Sequence, residues 1–448
     1  MYAHGRPVRP MNNLLLATRT YTTHRQVEEK PPKRANMKMT WPKIFGSSSE
    51  SNSLPLYDAC TVARLQRFFG LYPAPSPVVS KNGRSSLTNG TSNGPSASAS
   101  QDKPAENGTV GPAGSEHGSS LKNGSRVKPK YYVAHNKWWF YLFSMGATLG
   151  DDVFYFMIFP MAAANLSWWA TRRMVIIWGI CMYIGQASKE LLKWPRPSEP
   201  PVVRLERRYF MEYGMPSTHA MVGTLMPFTY LAATWNHYEY SHTLGALLAC
   251  SWTLLVCFSR LYKGMHFVLD LVVGVTLTAI LMLFIWPWLD VIDHFILTHP
   301  QAPLVIISSA VFLCICYPSQ NGVAATRADT ITILGSVSGI LCGFWFLHRS
   351  GMVPDVAEPL GGAIAWPGWG AAGIMLLKYA FSQVLAVVVY LFTRAVLLQA
   401  IAVIFNTEIN ENTKKLLFVE LPYRYITFLV LLFNLYVVSP LVFAKLGV

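Results

Sequence analysis

The stretch Ser259-Arg260-Leu261-Tyr262-Lys263-Gly264-Met265-His266-Phe267-Val268-Leu269-Asp270 joins two long apolar segments and sets a histidine four residues before an aspartate. Helical backbone from about residue 266 onward places His266 and Asp270 on one face, one turn apart. The carboxylate can then accept a hydrogen bond from one imidazole nitrogen and leave the other free to attack an electrophile, as in an activated nucleophile. The plainer account of such a pair is a helix cap or a solvated ion pair, and for an isolated pair it is the better one. Two stretches upstream reverse that balance.

Lys189 precedes Arg196 by seven residues, so two helical turns bring the positions back to the same face, while Pro195 and Pro197 end the helix and hold Arg196 just outside it. Pro216-Ser217-Thr218-His219 opens the next apolar segment. Ser217 can cap that helix, and its free backbone N–H groups form a ready anion site. Two full spans separate this loop from the one at 259–270, so both emerge on one side of a membrane. One face then gathers Lys189, Arg196, Ser217, His219, Arg260, His266 and Asp270. Such a set suits a phosphoryl group: the cations neutralise its non-bridging oxygens, while a nucleophile and an acid on opposite sides of phosphorus permit in-line displacement. Loop cations reaching for lipid headgroups explain Lys193, Arg204, Arg207 and Arg208 well. They do not explain why two histidines and an aspartate join them.

The elements that must position these residues are membrane helices. With 448 residues, 52% hydrophobic and only 13% charged, the chain is too apolar for one soluble domain. Expected spans lie near 138–165, 173–193, 218–235, 243–260, 266–289, 303–317, 331–348, 371–393 and 424–444, which predicts an all-α bundle of about eight or nine helices. The first is interrupted by Gly150-Asp151-Asp152, read as a helix restart after a short interfacial helix. The net charge of +14 is concentrated before residue 130, in a tail too poor in core residues to fold around a nucleic acid duplex. No nucleic-acid partner is expected.

Residues 1–130 read as a basic, largely disordered tail, and 131–448 as a transmembrane catalytic domain with a core near 173–290. Arg6, Arg9, Arg19 and Arg25 give the first residues a faint likeness to an organelle transit peptide, although such arginines are common in disordered tails. A short amphipathic helix near 58–70 interrupts the tail, with Val62, Leu65, Phe68 and Phe69 on one face, suited to a membrane surface or a partner. The linker from about 73 to 128 holds sequons at Asn89, Asn107 and Asn123, which report topology because only a luminal or exterior tail would use them. The seven cysteines lie mostly within apolar segments with no pair at metal spacing, implying neither a zinc site nor a disulfide framework.

Lys189-x6-Arg196-Pro197, Pro216-Ser217-x-His219 and Ser259-Arg260-x5-His266-x3-Asp270 resemble the three motifs of the type 2 phosphatidic acid phosphatase superfamily, which includes the vanadium haloperoxidases and glucose-6-phosphatase. One departure is Thr218, where most of that superfamily has glycine. The flanks Trp194-Pro195-Arg196-Pro197, Glu212-Tyr213-Gly214-Met215, Ser259–His266 and Val419–Thr427 resemble the sphingosine-1-phosphate phosphatases, in which threonine holds that position. The likeness covers about 131–448 and the short helix near 58–70.

This resemblance implies that His266 is the nucleophile and forms a phosphohistidine, that Asp270 orients it, and that His219 is the general acid and base. Lys189, Arg196, Ser217, Thr218 and Arg260 would bind phosphate, with no cofactor and no metal. The implied substrates are sphingosine 1-phosphate and dihydrosphingosine 1-phosphate, and the implied place is the endoplasmic reticulum membrane with a luminal active site. Two alternatives stay open: a broader lipid phosphate phosphatase acting on phosphatidate or lysophosphatidate, and a polytopic transporter whose Arg, His and Asp line a path. Oligomeric state has no reading in the sequence.

Overall fold

The computed structural model describes residues 55–73, 132–165, 167–206, 209, 212–318, 326–352, 362–363, 368–406, 408–410 and 413–446. Most of the tail, the linker with its three sequons, and Arg207 and Arg208 lie outside these residues. Twelve helices run in order among the described residues: α1 (Ala59–Phe68), α2 (Lys137–Thr148), α3 (Asp152–Asn165), α4 (Trp168–Leu192), α5 (Thr218–Thr234), α6 (His242–Tyr262), α7 (Val268–Ile285), α8 (Leu289–Thr298), α9 (Ala302–Ile315), α10 (Arg327–Arg349), α11 (Trp369–Ile404) and α12 (Leu417–Leu446). Two short strand pairs accompany them. β1 (Leu71–Pro73) pairs antiparallel with β2 (Tyr132–Ala134), and β3 (Tyr238–Glu239) pairs in parallel with β4 (Gly362–Ala363).

Each expected span has a helical counterpart. Residues 138–165 form two helices, α2 and α3, divided at 149–151 as the Gly150-Asp151 break implies. The segment near 266–289 continues through a 3₁₀ turn into α8. Five stretches among the described residues are long and apolar enough to cross a membrane: α6, Val268–Thr298, α10, α11 and α12. This is a multi-pass membrane protein. α4 has the length to join the five, with 25 residues, but carries charges at both ends, whereas α5 has only 17. α11 buries only Ser382 and Ile401 and leaves about half of its side chains exposed, as an apolar helix facing lipid would.

Polar contacts fix the helices that carry the site. At the start of α4, Arg172 makes a bidentate, fully buried pair with Asp293 of α8 at 2.8 and 2.9 Å, and Arg173 pairs with Asp290. Breaking a buried pair of this kind costs about 3–5 kcal/mol, because one charge is left behind. At the opposite end of α4, Glu190 accepts hydrogen bonds from Thr326 just before α10. Arg327 is held by Glu420 of α12 at 3.0 Å, which gives the motif Val419–Thr427 a structural task. Gly335 and Gly343 of α10 lie against α12, where a Cβ would come within 2.7 Å of the Tyr425 carbonyl oxygen and 3.2 Å of Tyr436 Cβ. Glycine permits this close helix approach.

The amphipathic helix near 58–70 packs on its own chain. Asp58 caps α1 through the Cys60 and Thr61 N–H groups. Val62, Leu65 and Phe69 bury against Val202, Val203, Leu261 and Tyr262, and Gln66 closes the contact. Its amide donates to the Val203 and Tyr262 carbonyls at 2.7 and 2.9 Å and accepts from the Val203 N–H at 2.9 Å.

Candidate active site

Four helix ends meet at one end of the bundle: the close of α4, the start of α5, the close of α6 and the start of α7. This convergence agrees with the parity expected from the two intervening spans. α4 stops at Leu192 because Lys193 adopts a left-handed conformation (φ 54°) and Pro195 and Pro197 follow. Ser217 caps α5, its hydroxyl accepting the Ala220 N–H, and its own N–H donates to the Asp270 carbonyl at 3.1 Å. α6 ends in a turn through Gly264 (φ +68°), whose missing side chain makes room for the Val203 carbonyl and Val202.

α7 begins at Val268, so His266 stands just outside the helix and is not its first residue. The two side chains still face each other, but without the hydrogen bond that the spacing led one to expect. His266 Nδ1 lies 3.4 Å from Asp270 Oδ2, while the same oxygen accepts the Phe267 N–H at 2.9 Å. Asp270 therefore serves at once as a cap for α7 and as the neighbour of His266. Gly214 makes this possible, since a Cβ there would lie 3.0 Å from Asp270 Oδ2.

The three cations converge. Lys189 Nζ donates to Thr218 Oγ1 at 3.0 Å and pairs with Glu212 at 3.3 Å. Arg196 donates to the Glu212 and Met265 carbonyls, pairs with the Glu212 carboxylate at 3.4 Å, and places Nη1 3.1 Å from His266 Nε2. Arg260 is 1% exposed, forms an ion pair with Glu206 at 2.9 Å, and otherwise leaves its guanidinium nitrogens without an acceptor among the described residues. A buried guanidinium with spare donors is arranged for an anion. His219 stacks edge-on against Tyr209 at 5.5 Å, and the Arg260 guanidinium lies 5.8 Å from the same ring. His219 also lines a small cavity of about 10 Å³ with Gln186, Tyr209, Glu212, Thr218 and Asp329.

Burial, reinforced by Arg196, Arg260 and Lys189, holds His266 well below the ordinary histidine range, so its imidazole is neutral at physiological pH. Burial likewise brings Arg196 down to about 10, which leaves it charged. Glu206 feels burial pushing it up, but Arg260 and Lys263 outweigh that and keep it ionised. Among the described residues no three His, Cys, Asp or Glu side chains converge to hold a metal ion.

All eight residues singled out from the sequence are thus linked by contacts. Sequence reasoning gave no role to Glu206, Glu212, Gln66 or Tyr209, although Glu212 lies in one of the flanking motifs. The acids were legible only as isolated carboxylates among arginines, and nothing local said which cations they would neutralise. Tyr57 was also missed: its ring packs 4.1 Å from Phe267 and 5.2 Å from Trp194, so the start of the described chain lies against the site.

Residues 169–292 match the PAP2 superfamily. The chain is 38% identical over 376 residues to sphingosine-1-phosphate phosphatase 2 of Homo sapiens, covering 83% of this chain and 93% of the relative. It is 35% identical over 358 residues to sphingosine-1-phosphate phosphatase 1 of Mus musculus, covering 77% and 80%. A more distant relative is the dihydrosphingosine 1-phosphate phosphatase YSR3 of Saccharomyces cerevisiae, 27% identical over 215 residues, 47% of this chain and 53% of the relative. No solved structure matches the chain significantly.

Proposed function

Because the chain belongs to the sphingosine-1-phosphate phosphatases of the PAP2 superfamily, we propose that it hydrolyses the phosphate monoester of sphingosine 1-phosphate and dihydrosphingosine 1-phosphate. The observation that carries this reading is the neutral, buried His266 set between Asp270 and the cations Arg196, Arg260 and Lys189.

His266 Nε2 attacks phosphorus while Nδ1–H faces Asp270, whose carboxylate supports the positive charge that develops on the ring. The bond from phosphorus to the alkyl oxygen breaks, and His219 gives its proton to the departing oxygen. Water then attacks the phosphohistidine, its proton passing to His219, and inorganic phosphate leaves with His266 restored. Lys189, Arg196, Arg260 and the N–H groups at the start of α5 hold the non-bridging oxygens, and the Ser217 hydroxyl adds to them. Thr218 acts through its backbone N–H and through Lys189. The geometry supports fixed charges in the place of a metal ion, since three cations meet where charge builds up in the transition state.

Apolar grooves between the helices favour a lipid substrate. One, lined by Phe228, Leu254, Val275 and Met282, opens between α5, α6 and α7. We count about eight or nine spans, the segment 138–165 through α2 and α3 among them, take residues 131–448 as the catalytic domain with α1 docked onto it, and place the protein in the endoplasmic reticulum membrane with its site facing the lumen.

Phosphate release by detergent-solubilised protein in excess chelator tests the function. Release from sphingosine 1-phosphate well above phosphatidate, lost in His266→Ala, is expected. Equal release from both lipids would widen the function to a general lipid phosphatase.

A further inference from the structure

At the end of the bundle opposite the catalytic one, the helices leave a cavity of about 210 Å³ with polar groups in its walls. It is lined by Pro160 of α3, Trp168 at the start of α4, Lys378, Tyr379 and Ser382 of α11, and Ser439 of α12, among others. Ser439 lies about 28 Å along α12 from Glu420, and Trp168 opens the helix whose far end carries Lys189, so the cavity stands toward the other membrane surface. α11 has only two charged residues in its 36, Lys378 and Arg394. Lys378 is half-buried, and its ammonium lies over the Phe443 ring of α12, 5.6 Å from the centroid. Among the described residues no carboxylate pairs with it and no group accepts a hydrogen bond from it. The Tyr379 hydroxyl beside it also has no partner among them. A charge within an apolar helix is costly unless the cavity it faces holds something to complete its coordination.

We propose that this cavity binds the headgroup of an anionic phospholipid from the membrane leaflet opposite the catalytic site. Lys378 offers a phosphate a full charge and three donors, and the Tyr379 hydroxyl adds another. The serines complement the rest of a headgroup. Ser382 gives its one proton to the Lys378 carbonyl at 2.8 Å, so in the 2.5 Å contact between the two hydroxyls Ser439 is the donor. The Ser439 oxygen then keeps its lone pairs for a hydroxyl of the headgroup. One water needs about 10–15 Å³, so the volume admits a phosphodiester and the carbons around it. Basic pockets between membrane helices hold lipid headgroups in this way, and the exposed Leu377 and Phe381 flank Lys378 as a surface for the lipid chains.

The test titrates detergent-solubilised protein with phosphatidylglycerol or phosphatidylcholine of matched chains and counts bound lipid by native mass spectrometry, in the wild type, Lys378→Met and Lys378→Arg. Neither lipid is a phosphate monoester, so the result stands apart from the phosphatase reading. The wild type is expected to bind phosphatidylglycerol more tightly than phosphatidylcholine. Lys378→Met should weaken phosphatidylglycerol about 10-fold or more, the loss of a charged donor, and Lys378→Arg should restore most of it. Unfolding midpoints in the same detergent show that each variant is folded. If Lys378→Met is not, Ser439→Leu, which fills the cavity and keeps the charge, should give the same loss. Equal affinity of the wild type and Lys378→Met for phosphatidylglycerol would overturn the site. Equal affinity of the wild type for the two lipids would overturn it too, because the cavity would then read chains and not charge. Displacement of the lipid by millimolar inorganic phosphate would assign the cavity to a free anion and overturn the lipid as its occupant.

Discussion

Arg196 Nη1 lies 3.1 Å from His266 Nε2, the nitrogen that reaches phosphorus in the proposed reaction. In the free site this guanidinium and the imidazole lone pair satisfy each other. In the proposed reaction an entering phosphate offers Arg196 better acceptors and releases Nε2 for attack. The same contact adds to burial in keeping the ring neutral, because a neighbouring cation disfavours the imidazolium.

Replacing Arg196 by glutamine therefore has two consequences. One phosphate donor is lost, which lowers kcat by roughly 10²–10³-fold. The acid limb of the pH profile also moves. In the wild type, His266 is held well below 6.5, so activity persists below that pH and falls only as the ring is finally protonated. Removing the cation lets the pKa of His266 rise, and the limb shifts to higher pH. Substrate ionisation is common to both proteins, so the difference between their kcat/KM profiles reports on His266.

Thr218 stands where the wider superfamily pattern has glycine, and its hydroxyl accepts a hydrogen bond from Lys189 at 3.0 Å. Thr218→Gly keeps the backbone donor but frees Lys189 to lean on Glu212 alone. A several-fold rise in KM with a smaller change in kcat is expected from steady-state kinetics; a variant indistinguishable from the wild type would show that the hydroxyl does not position Lys189.

Gln66 is the polar lock between α1 and the loops around the site. Gln66→Leu strands the buried Val203 N–H and two carbonyls, at a cost of about 1–3 kcal/mol. The exposed Arg67→Ala should change stability by no more than about 0.5 kcal/mol. Denaturation midpoints in detergent compare the two.

How much of this was legible beforehand follows from what each feature depends on. The helices were readable because lipid demands long apolar runs and internally satisfied backbones. The eight candidate residues, and their gathering at one end of the bundle, were readable because their motifs sit where those runs stop. The ends of α1 were also visible, but its docking site was not: an amphipathic face says that it must be covered, not by what. Glu206 and Glu212 could not be assigned either, because their partners come from helices far off in sequence. His266 shows the finer limit. Helix spacing put it one turn from Asp270, yet it lies outside α7, and the contact is made by a cap.

Because β1 pairs with β2, the chain enters residues 74–131 and returns from them beside α1, at the catalytic end. A luminal site then exposes the sequons at Asn89, Asn107 and Asn123 to glycosylation. A glycosidase-sensitive mobility shift, lost when all three asparagines become glutamine, is the expected outcome. Cytosolic protease access to the same segment in sealed microsomes would place the site on the other face.

The most direct test of the account is a rapid-quench single turnover with phosphate-labelled sphingosine 1-phosphate. It should yield an acid-labile, alkali-stable phosphoprotein whose label maps to His266, and this species should be absent from His266→Ala. Turnover of His266→Ala at the wild-type rate, or label on another side chain, would contradict the assignment of His266 as the nucleophile.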